Sequence, residues 1–179
     1  MMGDDPETLL KLGYQARREH RLAEAKDLFA EAAGQCRKAG KQALLAQSLT
    51  GLGQVERDLQ ELDAALRHYE DAVQIYRALD EPLALAHTIR HVADIQRNRR
   101  QLDLAARCYI EALGIYRENK ATPPLDLANA LRGYALLNGE TGNSEEALLL
   151  WREAGHLYAA VGVQAGVDES ERQIARLAG

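Results

Sequence analysis

At 179 residues, 46% hydrophobic but only 5% aromatic, the chain has material for a packed core, and its Ala- and Leu-rich apolar set with four Pro favours helices over strands. The formal net charge of -5 gives no general attraction to nucleic acid or to an anionic membrane. The acidic opening Asp4-Asp5-Pro6 carries no apolar run, no stretch approaches the ~20 apolar residues of a membrane span, and Cys36 and Cys108 have neither zinc spacing nor a disulfide framework. Free thiols in a reducing cytoplasm are the expected setting.

The first predicted helix starts at Asp4 and Asp5, with a capping carboxylate followed by Pro6 in the first turn, and Leu9, Leu12 and Ala16 form its stripe. After a polar break at Glu19-His20-Arg21, a second helix carries Ala25, Phe29 and Ala32 on one face. Small, large, small at four- and three-residue spacing is the pattern of a helix packed closely against two neighbours. A new helix is predicted from near Lys41, with Leu45, Leu49, Leu52 and Gly53, followed by one with Ala65, Tyr69 and Ala72. Asp80-Glu81-Pro82 again reads as a helix start; Ala86, Ile89, Val92 and Ala93 follow, then Ala105, Tyr109 and Ala112. The connector from Glu118 through Pro123-Pro124 leads to Leu131, Tyr134 and Ala135, then to a turn at Gly139 and Gly142 and a helix with Ala147, Trp151 and Ala154. Residues 163–178 repeat a first helix on one side through Ile174, Leu177 and Ala178. Asp168, Glu169, Glu171, Arg172 and Arg176 leave its other side polar, as expected of a helix that covers the end of a stacked array.

The stripes recur at a period of 40 residues, stretched to 42 where the Pro-containing connector intervenes. These sets, with Leu12-Gly13, Leu52-Gly53, Val92-Ala93 and Tyr134-Ala135 in the preceding helices, resemble the tetratricopeptide repeat family. The resemblance runs from about Asp5 to Gly162, and the long period is similar to an extended subclass of that family. It implies an all-α fold: a right-handed α-solenoid of four helix-turn-helix, TPR-like repeats with a C-terminal capping helix. Residues 1–179 form one such domain, with repeats at about 5–40, 41–80, 81–122 and 123–162 and the cap at 163–178. A hairpin of this kind cannot bury its apolar face alone, so stability comes from stacking neighbours.

In this family the first helices line a concave groove that binds extended peptides or partner helices. Carried across residue by residue, the resemblance places Glu7, Leu10, Tyr14, Arg17 and Arg18 in it, then Gln47, Thr50, Gln54, Arg57 and Asp58. His87, Arg90, Asp94, Arg97 and Asn98 follow, then Asn129, Arg132, Leu136 and Glu140. Six arginines against four acids make this face locally basic although the chain is acidic. The implied ligand is an acidic peptide segment, a C-terminal carboxylate or a partner helix, held by arginine forks and by Asn and Gln side chains on the ligand backbone. The peptide- or partner-binding set is Tyr14, Arg17, Gln47, Gln54, Arg57, His87, Arg90, Asp94, Arg97, Asn98, Asn129 and Arg132. The Lys/Asn set with which some members grip a chaperone tail is absent, because Leu10 and Tyr14 stand where it would begin.

No cofactor is expected. His87, His91 and Asp94 have metal-ligand spacing but no fourth ligand, and read as residues of an exposed helix, so no metal site is assigned. Arg97, Arg99 and Arg100 lack aromatic neighbours for base stacking and read as a solvated turn, not a nucleic-acid patch. Gly51-Leu52-Gly53 lies mid-helix and lacks a third glycine, which makes it a packing feature. Glu145-Glu146 sits where a helix N-terminus favours acids without catalysis. With no nucleophile beside a base, the chain is not expected to be an enzyme. The expected function is a cytoplasmic, non-catalytic protein- and peptide-binding scaffold. The alternatives are a self-associating module forming a homo-oligomer, or a sensor domain of a larger regulator.

Overall fold

The computed structural model describes residues 5–179, so Asp4 lies outside the described residues. Asp5 supplies the first cap: its Oδ1 accepts the N–H groups of Glu7 at 3.0 Å and Thr8 at 3.2 Å, and its Oδ2 accepts the Thr8 hydroxyl at 2.7 Å. Those bonds, the Thr8 hydroxyl foremost, hold the Asp5 carboxyl below its ordinary range. Pro6 follows at the first helical position, where a missing N–H costs no bond.

Among the described residues nine helices form: α1 (Pro6–Arg18), α2 (Leu22–Ala39), α3 (Gln42–Asp58), α4 (Leu62–Ala78), α5 (Pro82–Asn98), α6 (Leu102–Glu118), α7 (Pro124–Glu140), α8 (Ser144–Ala160) and α9 (Gln164–Ala178). The protein is all-α and helices pack in consecutive pairs, as the repeat pattern implied. No described helix is long and apolar enough to cross a membrane.

The turn within each pair is set by one residue in the left-handed region: His20 (φ 58), Gln60 (φ 64), Arg100 (φ 62) and Gly142 (φ 82). The N–H of the following residue bonds back to a carbonyl of the last helical turn, Arg21 to Ala16 at 2.9 Å, Glu61 to Glu56 at 2.8 Å, Gln101 to Gln96 at 2.9 Å and Asn143 to Asn138 at 2.8 Å. That six-to-one bond satisfies a carbonyl the helix end would leave open. The reading of Gly139 as a turn residue is corrected: it lies inside α7, and the left-handed position falls three residues later at Gly142.

The chain divides into two compact units, Met1–Thr88 and Ile89–Gly179. In the first, α1 packs on α2, α2 on α3, α3 on α4, and α1 also touches α3. The Phe29 ring fills the space between α1 and α3. A Cβ built on Gly13 would lie 2.8 Å from that ring, and one on Gly51 2.6 Å from it. Tyr69 is pressed against Gly53 in the same way. The glycines are thus required by close approach, as the mid-helix reading of Gly51-Leu52-Gly53 held.

In the second unit, Ala93, Ala105, Tyr109 and Leu137 form a buried cluster with Leu102, Ala106, Cys108 and Tyr134 packed on it. Tyr109 presses on Gly133 and Tyr158 on Gly166. The small-large-small stripes of α2, α4, α6 and α8 are all buried, Trp151 among them at 1% exposure. Helix α9 packs on α8, burying Gly166 and Ser170, while Asp168, Glu171, Arg172 and Arg176 stay exposed, the polar outer face expected of a cap.

One further column follows the period. Ser48, Thr88 and Ser170 are buried on first helices, and each hydroxyl donates at 2.8 Å to the carbonyl four residues earlier. That bond satisfies the hydroxyl within its own helix, so a small polar side chain can face the core without another partner.

Candidate functional site

In the first unit the expected groove residues lie on α1, α3 and the start of α5. Glu7, Leu10, Lys11, Tyr14, Leu44 and Gln47 line a concavity of ≈ 280 Å³. Leu10 is buried in its wall, and Tyr14 stands edge-on to Phe29, ring centroids 4.9 Å apart. Burial, with the Tyr76 phenol adding to it and Arg17 opposing, pushes the Tyr14 phenol up to about 12. Beyond this concavity, Arg17 Nε donates to Asp58 Oδ2 at 2.7 Å and Arg17 Nη1 to Gln54 Oε1 at 3.2 Å. Gln54 Nε2 faces His87 Nε2 at 3.4 Å, and Arg57 reaches the other Asp58 oxygen at 3.5 Å. Tyr14, Arg17, Gln47, Gln54, Arg57 and His87 are therefore brought onto one face, while Arg18 is exposed without sharing this network.

In the second unit the set separates by depth. Arg90 is only 9% exposed: its Nη1 donates to Asp94 Oδ2 at 3.2 Å, and its Nη2 to His91 Nε2 at 3.1 Å. Accepting from Arg90 requires an unprotonated His91 Nε2. Asp94 Oδ1 also accepts the Tyr109 hydroxyl at 2.6 Å. Burial alone raises the Asp94 carboxyl, but His91, Arg90 and Tyr109 together outweigh it and hold the group at about 2. His91 is buried at 4%, which corrects its reading as a residue of an exposed face. Arg90, His91 and Asp94 thus form an internal polar cluster, and among the described residues no group of three His, Cys, Asp or Glu side chains is arranged to hold a metal.

Arg97, Asn98 and Arg132 lie nearer the surface. Arg97 Nη1 donates to Glu140 Oε1 at 2.5 Å and Arg100 Nη1 to Glu140 Oε2 at 3.1 Å. Arg97 is helical and Arg100 is in the turn, and both are tied to α7; they are not simply solvated as their sequence suggested. Arg132 grips Glu169 of α9 with Nε at 2.6 Å and Nη2 at 2.8 Å, and the Glu169 bond foremost raises the arginine's own proton affinity. Asn129 Oδ1 accepts the Tyr158 hydroxyl at 2.8 Å.

Sequence reasoning missed Tyr76, Tyr116 and Tyr158. They end the second helices at intervals of 40 and 42 residues, and each is buried. Burial raises all three phenols; Thr50 opposes this at Tyr76, and Arg132 opposes it at Tyr158. The Tyr158 hydroxyl reaches the groove position Asn129, and the Tyr76 phenol lies beside the groove position Thr50. The shared period was the available signal, but the more regular stripes at Phe29, Tyr69, Tyr109 and Trp151 drew attention from it.

Residues 4–78 match the Tetratricopeptide repeat family. Among solved structures the chain is similar to BtubC (BKLC) from P. vanneervenii, with a TM-score of 0.73 and 20% identity over 97% of this chain and 81% of that one. It is also similar to the apo form of RapI, with a TM-score of 0.85 and 14% identity over 94% of this chain. The match covers 62% of RapI, so the chain spans less than two thirds of that protein's length. At these identities the likeness is one of fold. No curated protein matches the sequence.

Proposed function

We propose that this chain, whose residues 4–78 match the tetratricopeptide repeat family, is a non-catalytic scaffold that binds a partner protein on the exposed faces of its first helices. The family supports protein–protein interaction as the general role. The ligand we assign is an acidic peptide segment or partner helix, and a cytoplasmic setting belongs to the same proposal.

The observation that carries this reading is the state of four arginines. The side chains of Arg17, Arg57, Arg97 and Arg132 are held in place by neighbouring acids, yet remain 27%, 28%, 18% and 41% exposed. Guanidinium groups that stay part-exposed can still offer their planar donors to a ligand carboxylate, which suits recognition of acids. Arg90 does not belong with them, because its guanidinium is spent on Asp94 and His91. Tyr14, Gln47, Gln54, His87, Asn98 and Asn129 would supply polar and aromatic contacts to the ligand backbone.

The test is capture from the source cytosol with wild-type protein and two charge-reversed variants, R17E/R57E and R97E/R132E. Proteins retained by wild type should be lost from both variants while helicity measured by circular dichroism is kept. An unchanged set of captured proteins would falsify the arginine-based reading.

A further inference from the structure

Three half-buried arginines of the first helices share one arrangement: each is held by an acid on the next first helix of its own unit. Arg17 of α1 meets Asp58 of α3 at 2.7 Å, Arg97 of α5 meets Glu140 of α7 at 2.5 Å, and Arg132 of α7 meets Glu169 of α9 at 2.6 Å. The partners are 41, 43 and 37 residues apart in the chain, close to one repeat in every case. These pairs are not sealed in the core, since the side chains of Asp58, Glu140 and Glu169 are 29%, 30% and 24% exposed. An incoming carboxylate can reach the same donors.

We propose that Asp58 in the first unit and Glu140 and Glu169 in the second are built-in competitors that determine which ligands the first helices of each unit accept, each occupying the arginine donors a ligand carboxylate would otherwise take. This rests on the acidic-ligand reading given above. Binding is then an exchange of one carboxylate for another on the same guanidinium. A lone acid gains little from such an exchange, and a segment carrying several acids gains at Arg97 and Arg132 of the second unit together. Glu140 and Glu169 thereby select for polyacidic segments, and Asp58 acts in the same way at Arg17 of the first unit.

Geometry ranks the competitors. Glu169 is the strongest, because it takes Arg132 Nε and Nη2 together, the planar two-bond fork that carboxylate recognition uses. Glu140 divides its oxygens between Arg97 and Arg100. Asp58 takes only the Nε of Arg17 and has Arg57 at the longer distance of 3.5 Å. Helix α9 therefore does more than cover α8, since it also seats a carboxylate where a ligand's would sit. The competing explanation is that these acids only tie neighbouring helices together, and it predicts a loss of stability with no gain in affinity.

The experiment is fluorescence anisotropy with a labelled hexaglutamate peptide at low ionic strength, using wild type, E169Q, E140Q, D58N and R132E. E70Q serves as a charge-matched control, because Glu70 is exposed on the second helix α4 away from these pairs. E169Q should bind about two- to fivefold more tightly than wild type, the range expected when one exposed ion pair no longer competes. E140Q and D58N should gain progressively less, E70Q should equal wild type, and R132E should lose binding. If E169Q fails to fold by circular dichroism, E140Q and D58N carry the same test from other helices. Binding by the amide variants no tighter than E70Q, with R132E still defective, overturns the competitor role and leaves the groove reading standing. Equal or absent binding in all variants, R132E included, overturns both.

Discussion

Gly51→Ala adds a single methyl group to α3 where the Phe29 ring leaves no room. The new Cβ would stand 2.6 Å from two ring atoms and 2.8 Å from a third, well inside van der Waals contact. The ring cannot retreat, because Gly13 of α1 bounds it with a built Cβ distance of 2.8 Å and Phe29 is fully buried. Overpacking of this kind costs ~1–3 kcal/mol, and confinement on both sides of the ring places the cost at the upper end. Replacing glycine by alanine within a helix returns ~1 kcal/mol, so the net loss should be about 2 kcal/mol. Gly34 in α2 provides the opposite case, since a Cβ there meets nothing within 4 Å. Gly34→Ala should therefore stabilise by ~1 kcal/mol from helix propensity alone. Urea unfolding followed by circular dichroism at 222 nm, about the standard helix wavelength, measures both variants against wild type. If Gly51→Ala is as stable as wild type, or if the two alanine variants shift in the same direction, the claim that the glycines exist to admit the aromatic rings is refuted.

Two other perturbations probe the second unit. Trp151→Ala removes a side chain only 1% exposed, and should cost ~3–5 kcal/mol in the same urea assay; a loss below ~1 kcal/mol would mean that Trp151 is not a core wedge. Asp94→Asn tests the Arg90–His91–Asp94 cluster through pH. The folded carboxyl is depressed to about 2 from its ordinary 3.8, so its ionised form contributes stability above the unfolded value, and that contribution is lost as pH falls from about 4 towards about 2. The variant should be less stable than wild type by about 2 kcal/mol at neutral pH, and the gap should narrow across that acid window. A gap that stays constant from pH 7 down would contradict the assignment.

Much of the fold was legible in the residues because burial in a helix follows from spacing along the chain. Ala25, Phe29 and Ala32 lie on one face whatever the tertiary structure does, and the recurrence of that triplet at Ala65, Ala105 and Ala147 could come only from a repeated pair of helices. The terminal helix was readable for the same reason: Ile174 and Leu177 repeat a first helix while Asp168 and Glu171 make its far side polar. The candidate site was legible only as a list of positions. Arg90 and Arg132 look alike on their helices, yet one is buried against Asp94 and the other lies open on Glu169.

By itself, then, the sequence determined the helices and their pairing, since these depend on periods of a few residues and on one long repeat. Only the tertiary structure decided which acid each arginine meets, that His91 is buried, and that Tyr76 and Tyr158 reach groove positions. The physical reason is the range of the interaction. A charge on a helix face reads the same in the chain whether water or a carboxylate 37 to 43 residues away neutralises it. The packing offset between successive first helices selects between those outcomes, and no local pattern encodes that offset.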